Sequence, residues 1–261
     1  MSVLIVIPAR LGSTRLPRKP LRELGGQPLI VRVLQRVMGL GVDARIVVAT
    51  DDGEVAAAVT AAGGSSVLTS FNHPSGTDRV AEVAQMAEFR GYGVIVNVQG
   101  DEPFVSAAAI QMARDQVGSG DHPIGTVACH DDPAILDMPS VVKVVRGADG
   151  RALYFSRAGV PFLRDENARV RHEALVLRHI GIYAYRRSAL LQWVSLPQSP
   201  LEMVESLEQL RPLEAGLSIG VGLVSEQAAG GIDTEEDLVR ANASWPDPAI
   251  HATSPVPAGN R

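Results

Sequence analysis

The chain has 261 residues, 46% hydrophobic and 20% charged, with a formal net charge of −5 and a single cysteine, Cys129. That length and composition fit one large globular domain with an ample core, and the acidic balance argues against broad nucleic-acid binding. One cysteine excludes an intramolecular disulfide framework, no apolar stretch approaches the ~18 residues of a membrane span, and no basic, cleavable leader precedes the first apolar run, so a cytoplasmic location is expected.

Val3, Leu4, Ile5, Val6 and Ile7 form a continuous apolar run, read as a buried strand. It leads into the loop Pro8-Ala9-Arg10-Leu11-Gly12-Ser13-Thr14-Arg15-Leu16-Pro17-Arg18-Lys19-Pro20-Leu21. Arg10, Arg15, Arg18 and Lys19 set this segment against the sign of the whole chain. Backbone N–H groups, hydroxyls and fixed cations after a first strand are what a polyphosphate needs. Next, Leu29, Ile30, Val33, Leu34 and Val37 recur at helical spacing, predicting a helix over 28–38 that Gly39 and Gly41 end. A second buried strand spans 45–50, and an alanine-rich helix over 53–62 closes at Gly63 and Gly64. A short strand at 66–69 precedes the polar loop Asn72-His73-Pro74-Ser75-Gly76-Thr77-Asp78-Arg79 and a helix over 77–89. The fourth strand, 93–98, runs into Gln99-Gly100-Asp101-Glu102-Pro103 and a helix over 106–117.

Strands alternating with helices predict an α/β fold: a mostly parallel sheet with helices on both faces. Ligands in such sheets lie beyond the carboxyl ends of the strands, which gathers the polar segments after the first four strands at one edge. The second half reads differently. Residues 124–129, 141–146 and 180–185 look like strands without regular helices between them, and 152–155 completes a hairpin across the turn at 147–150. Residues from about 130 to 195 are read as an excursion on the sheet and a candidate dimer contact; their aromatic content fits an ordinary small core equally well. A helix over 201–213 interrupted by Pro212, a last strand at 219–224 and a helix opening near Asp233 or Thr234 follow. A single domain is expected over 1–243, with a disordered tail over 244–261.

No G-x-G-x-x-G follows a strand and no G-x-x-x-x-G-K-[ST] is present, which removes support for a Rossmann dehydrogenase and a P-loop NTPase. His172, Glu173 and His179 lack HExxH spacing, and no Cys/His set suits zinc. Cys129 lies in an apolar run and reads as a buried, inert thiol. A polyphosphate site calls for Mg²⁺, which takes carboxylate and phosphate oxygens. Asp101, at the end of the fourth strand, is the first candidate ligand. Asp233, in the loop after the last strand, is the second; helix N-cap is its other reading.

These segments in order resemble the 3-deoxy-D-manno-octulosonate (Kdo) cytidylyltransferases. The resemblance rests on the opening loop, Ser75-Gly76-Thr77-Asp78-Arg79, Asn97-Val98-Gln99-Gly100-Asp101-Glu102-Pro103, Ala152-Leu153-Tyr154-Phe155-Ser156-Arg157, Leu177-Arg178-His179-Ile180-Gly181-Ile182-Tyr183, Ser199-Pro200-Leu201-Glu202, Leu207-Glu208-Gln209-Leu210-Arg211 and Ile232-Asp233-Thr234-Glu235-Glu236-Asp237-Leu238. It implies a Rossmann-like three-layer sandwich of the nucleotide-diphospho-sugar transferase type. It also implies a Mg²⁺-dependent homodimer that converts Kdo and CTP to CMP-Kdo and pyrophosphate for lipopolysaccharide inner-core assembly.

Carried over by motif position, the CTP site takes Pro8, Ala9, Arg10, Ser13, Thr14, Arg15, Lys19, Ser75, Gly76, Arg79 and Gln99. The Kdo site takes Gln99, Arg157, His179, Tyr183, Glu202, Glu205 and Gln209, with Arg157 and His179 as cations or donors for the sugar carboxylate. Lys19 and Arg15 offset charge on the leaving pyrophosphate, and Asp101 and Asp233 ligate Mg²⁺. One position departs from the pattern: Arg18 stands where the family usually has glycine before the loop lysine, so a positive φ there would be strained, and without one Arg18 adds a cation to the loop. A CMP-sialic acid synthetase and an 8-amino-Kdo cytidylyltransferase are the near alternatives. A catalytically silent nucleotide-sensing protein, which would need the basic loop but not Asp101 with Asp233, is the alternative of another class.

Overall fold

The computed structural model describes residues 2–13, 15–119, 121–164, 173–226 and 230–245. Strand β1 (Val3–Ala9) is buried at every position, as a central strand covered on both faces must be. A two-stranded hairpin, β2 (Glu23–Leu24) and β3 (Gln27–Pro28), follows the loop. Then come α1 (Leu29–Gly39), β4 (Arg45–Thr50), α2 (Gly53–Ala61), β5 (Ser66–Leu68), α3 (Gly76–Gln85), β6 (Val94–Asn97) and α4 (Ala107–Gly118). In α1 the five apolar residues picked out by periodicity are all buried on one face. Side-chain caps open three of these four helices: Asp52 for α2, Ser75 for α3 and Ser106 for α4.

The second half supplies β7 (Ile124–His130), β8 (Lys143–Arg146), β9 (Ala152–Ser156), β10 (Leu177–Arg186), α5 (Arg187–Ser195), α6 (Pro200–Glu205), α7 (Leu210–Glu214), β11 (Ile219–Val224) and α8 (Glu235–Ala243). The main sheet runs β11-β7-β10-β6-β1-β4-β5. Pairings among β6, β1, β4 and β5 are parallel, as is β11 with β7; β10 is antiparallel to both β6 and β7. One core packs α1, α2, α4 and α8 on one face, and a second packs α3, α5 and the β8–β9 hairpin on the other. The α/β three-layer architecture is therefore as expected.

Three local readings change. First, the segment leaving the sheet is narrower than 130–195. Strand β10 lies inside the main sheet between β6 and β7, and β8 with β9 forms the flap beside it. Residues 187–195 are a helix, with Ala189, Leu190 and Trp193 buried. Second, the helix expected over 201–213 breaks at Ser206, whose φ is 52°, and not at Pro212, which sits inside α7. Proline is tolerated there because first-turn N–H groups have no intrahelical acceptor. Third, Trp245 packs on the body, its ring 5.6 Å from Phe104 and 5.1 Å from the Arg32 guanidinium. It seats over Gly25, where a Cβ would fall 2.3 Å from the indole. The rest of the expected tail, 246–261, lies outside the described residues.

Strand β1 has β4 on one side and β6 on the other, and the chain visits β4 and β5 before returning to β6. This reversal makes the exits of β1 and β6 a switch point, where open α/β sheets place ligands. The two exits converge closely: a Cβ on Gly100 would lie 2.6 Å from the Pro8 carbonyl oxygen, so only glycine fits.

Candidate active site

A cavity of about 260 Å³ opens at that switch point. Pro8, Ala9 and Arg10 come from the end of β1, Ser13, Arg15 and Lys19 from the loop, and Ser75, Gly76 and Arg79 from the start of α3. Gln99 and Asp101 come from the exit of β6, and Asp233 from the turn before α8. Every described residue expected at the CTP site or the metal site thus lines one cavity; Thr14 lies outside the described residues.

At its centre Lys19 is bonded to Asp101 Oδ2, and its Nζ lies 2.7 Å from Asp233 Oδ1. Arg15 Nη2 approaches the same Asp233 oxygen at 3.1 Å. Burial works against the Lys19 charge, but the two carboxylates outweigh it and hold its pKa above the ordinary value. The ambiguity at Asp233 is resolved by its neighbour. Thr234 caps α8 through a capping box with Asp237, leaving the Asp233 carboxylate to face Lys19 and Arg15.

The donor set suits a hard divalent cation. Asp101 and Asp233 direct oxygens at one point, already marked by an ammonium nitrogen within bonding distance of both. Among the described residues no group of three or more His, Cys, Asp or Glu could hold a metal. Two carboxylates with the remaining positions left to phosphate and water is the pattern Mg²⁺ prefers.

Just before Lys19 the loop takes a left-handed backbone at Arg18, with φ 55° and ψ 32°. Its side chain pairs with Glu54 at 2.6 Å on the surface and does not line the cavity. The expected extra cation is therefore engaged elsewhere, and the expected strain is present. Arg79 is buried, and its guanidinium bonds Thr69 Oγ1 and, at 2.9 Å, Asp51 Oδ2. It forms part of the cavity wall while tying β4 and β5 exits to α3.

Of the residues expected at the sugar, only Gln99 lines this cavity. Arg157 donates to the Glu205 carbonyl at 2.8 Å and to the Pro139 and Ser206 carbonyls. The Glu205 carboxylate accepts from Ser156 Oγ at 2.6 Å and from the Arg157 N–H at 2.9 Å. Glu202 is buried and forked by Arg211 at 2.7 and 2.5 Å, and Gln209 is buried at the approach to α7. His179 is half-buried between Phe155 and Tyr183, its Nε2 2.9 Å from Thr126 Oγ1, and it lines a cavity with Glu102, Phe104 and Ile180. Desolvation pushes its pKa down to about 3, which leaves it the hydrogen-bonding role, one of the two expected, and not the cationic one. Tyr183 stacks against Tyr185 in the same aromatic cluster.

Two carboxyls were missed. Glu208 lines the cavity, is bonded by Thr77 Oγ1 at 3.0 Å, and has its pKa raised chiefly by burial. A partial signal was available: Leu207 and Leu210 are apolar and buried, which leaves Glu208 and Gln209 as the polar residues between them. Glu102 is pushed up to about 8 by burial and then by the charges of Asp101 and Asp233. It faces a second cavity of about 280 Å³, with Phe104, Ile180, Ile182 and Gly231, on the other side of the 101–102 segment.

A cation-lined cavity at the switch point, met by two carboxylates, defines a nucleotidyltransferase, and residues 4–219 match the family described as cytidylyltransferase. The chain is 58% identical over 254 residues to the 3-deoxy-manno-octulosonate cytidylyltransferase of Gemmatimonas aurantiaca, covering 97% of each. It is 48% identical over 245 residues to the enzyme of that name from Herminiimonas arsenicoxydans, covering 92% of this chain and 97% of the relative. The solved structure of a CMP:2-keto-3-deoxy-manno-octonic acid synthetase complexed with CTP superposes with a TM-score of 0.85 at 39% identity, over 93% of this chain and 98% of that one. The chain belongs to the 3-deoxy-manno-octulosonate cytidylyltransferase family.

Proposed function

We propose that the protein transfers CMP from CTP to Kdo, releasing pyrophosphate, and so activates the sugar for lipopolysaccharide inner-core assembly. The observation that carries this reading is the meeting of Asp101, Asp233, Lys19 and Arg15 at the mouth of the switch-point cavity, in a chain of this family. In the reaction a Kdo hydroxyl oxygen bonds to the α-phosphorus as the bond to the pyrophosphate oxygen breaks, and the hydroxyl proton is lost. Such transfers depend on positioning and charge neutralisation. Arg10, Arg15 and Lys19 supply fixed positive charge toward the triphosphate, and Ser13 supplies a hydroxyl. Pro8, Ala9, Gly76 and Gln99 shape the wall for base and ribose. Asp101 and Asp233 would hold Mg²⁺, whose contribution is to polarise the phosphoryl group and lower the pKa of the attacking hydroxyl.

Two associated readings complete the proposal. Among the described residues no helix is long and apolar enough to cross a membrane; the reading has the protein act on small molecules in the cytoplasm. Leu153 on β9, with Met138 and Phe162 nearby in the chain, is an exposed large apolar residue, and this flap is the contact we assign to a homodimer.

The deciding experiment follows pyrophosphate on incubation with CTP, Mg²⁺ and, separately, Kdo, 8-amino-Kdo and a sialic acid. Turnover with Kdo is expected; turnover with a sialic acid alone would overturn the substrate assignment. Sedimentation of the protein should give twice the chain mass, and a monomer at micromolar concentration would remove the dimer.

A further inference from the structure

Lys19 stands where two functions meet. It belongs to the basic loop that faces the triphosphate, yet its ammonium is bonded to both carboxylates expected to bind the cation. Its side chain is only 14% exposed, so this pair of contacts is made in a partly desolvated site where charge pairing counts. Two carboxylates converging on one point repel unless a positive charge lies between them. Here an ammonium supplies it, with Arg15 adding a second contact to the Asp233 oxygen. A divalent cation needs the same oxygens, so Lys19 and a divalent cation exclude one another at this point.

We propose that Lys19 is the resident counter-ion of the Asp101–Asp233 pair and that it passes to the nucleotide phosphates when a divalent cation takes the pair. This rests on reading the pair as the cation site. The lysine stem is long and flexible and its head is a compact point charge, which suits a group that changes partners within one cavity. Arg10 and Ser13 line the same cavity on the loop side, so phosphate oxygens offer the displaced ammonium a nearby acceptor. Lys19 thereby holds cation affinity down until nucleotide arrives. Linkage requires the converse by the same factor: cation tightens nucleotide as much as nucleotide tightens cation.

The test measures Mn²⁺ binding by loss of the free-ion electron paramagnetic resonance signal, with and without CTP and without sugar. Proteins are the wild type, Lys19→Met and each with Asp101→Asn. The proposal expects Lys19→Met to bind Mn²⁺ at least tenfold more tightly than wild type when CTP is absent. CTP should then improve that affinity by a smaller factor than in wild type, and Asp101→Asn should abolish the gain. Lys19→Met should also melt lower than wild type and recover on adding Mn²⁺. Equal or weaker Mn²⁺ binding by Lys19→Met, still abolished by Asp101→Asn, overturns the exchange and leaves the pair as the cation site. Binding indifferent to Asp101→Asn overturns the pair itself. Lys19→Gln, which keeps a hydrogen-bond donor between the carboxylates, gives the same comparison if the methionine variant folds poorly.

Discussion

Asp233 reaches Lys19, at 2.7 Å, because Thr234 and not Asp233 caps the helix that follows. The cap and the site are adjacent residues of one turn with separate tasks. Thr234→Ala removes the hydroxyl that accepts from Asp237 N–H at 3.2 Å and should cost about 1 kcal/mol. It also loosens the turn that aims Asp233. Urea unfolding should show the loss, and kcat should fall while CTP still binds. A fully active variant would separate the cap from the site.

Asp101→Asn keeps the volume and removes the charge. Pyrophosphate release should fall by about 10²–10³-fold, the scale seen when one charge-stabilising group is removed. Far-ultraviolet circular dichroism should be unchanged. Full activity would remove Asp101 from the cation site.

Glu202 and Arg211 form a buried, forked ion pair, and Arg211 holds the Glu202 carboxyl below its usual range despite burial. Glu202→Gln leaves a buried guanidinium without its counter-charge. The expected cost is about 3–5 kcal/mol in urea unfolding. A stable variant with only a raised KM for the sugar would return Glu202 to the substrate site assumed from its motif.

The local elements were legible because their signals are local. Leu29, Ile30, Val33, Leu34 and Val37 mark one helix face wherever that face packs, and all are buried. Asp101 and the loop cations were legible because strand exits converge in this architecture. What was hidden needed long-range pairing. Nothing within residues 177–186 states that β10 inserts antiparallel between β6 and β7. For the same reason nothing in the sequence showed that His179 meets Thr126 across the inserted strand. Glu202, Glu205 and Glu208 are equally acidic in the sequence. The left-handed turn at Ser206 sorts them: the first pairs with Arg211, the second grips the end of β9, and the third faces the cavity.

Arg18 occupies a left-handed backbone conformation in the turn before Lys19. That conformation costs a side-chain-bearing residue about 1–2 kcal/mol. Its exposed pair with Glu54 returns only a few tenths, and glycine adds unfolded-state entropy of about 0.5–1 kcal/mol. Arg18→Gly should therefore leave stability level or raise it by about 0.5 kcal/mol, and the KM for CTP should stay within about twofold, since the side chain faces Glu54. A clear drop in thermal midpoint, or a large rise in KM, would show that Arg18 is a functional cation.

His179 sets a pH dependence whose sign follows from its burial. Desolvation pushes its folded pKa down to about 3, against about 6.5 for a histidine in water. Below pH 6.5 the unfolded chain binds a proton that the folded protein does not, so stability falls with pH until the folded group titrates near 3. Each unit in that window is worth about 1.4 kcal/mol. Between pH 7 and pH 5 the wild type should lose about 2 kcal/mol more than His179→Gln, a variant with no titrating group there. Urea unfolding of both proteins at the two pH values gives the difference directly, with other groups common to both. Parallel losses would mean that His179 titrates normally in the folded protein.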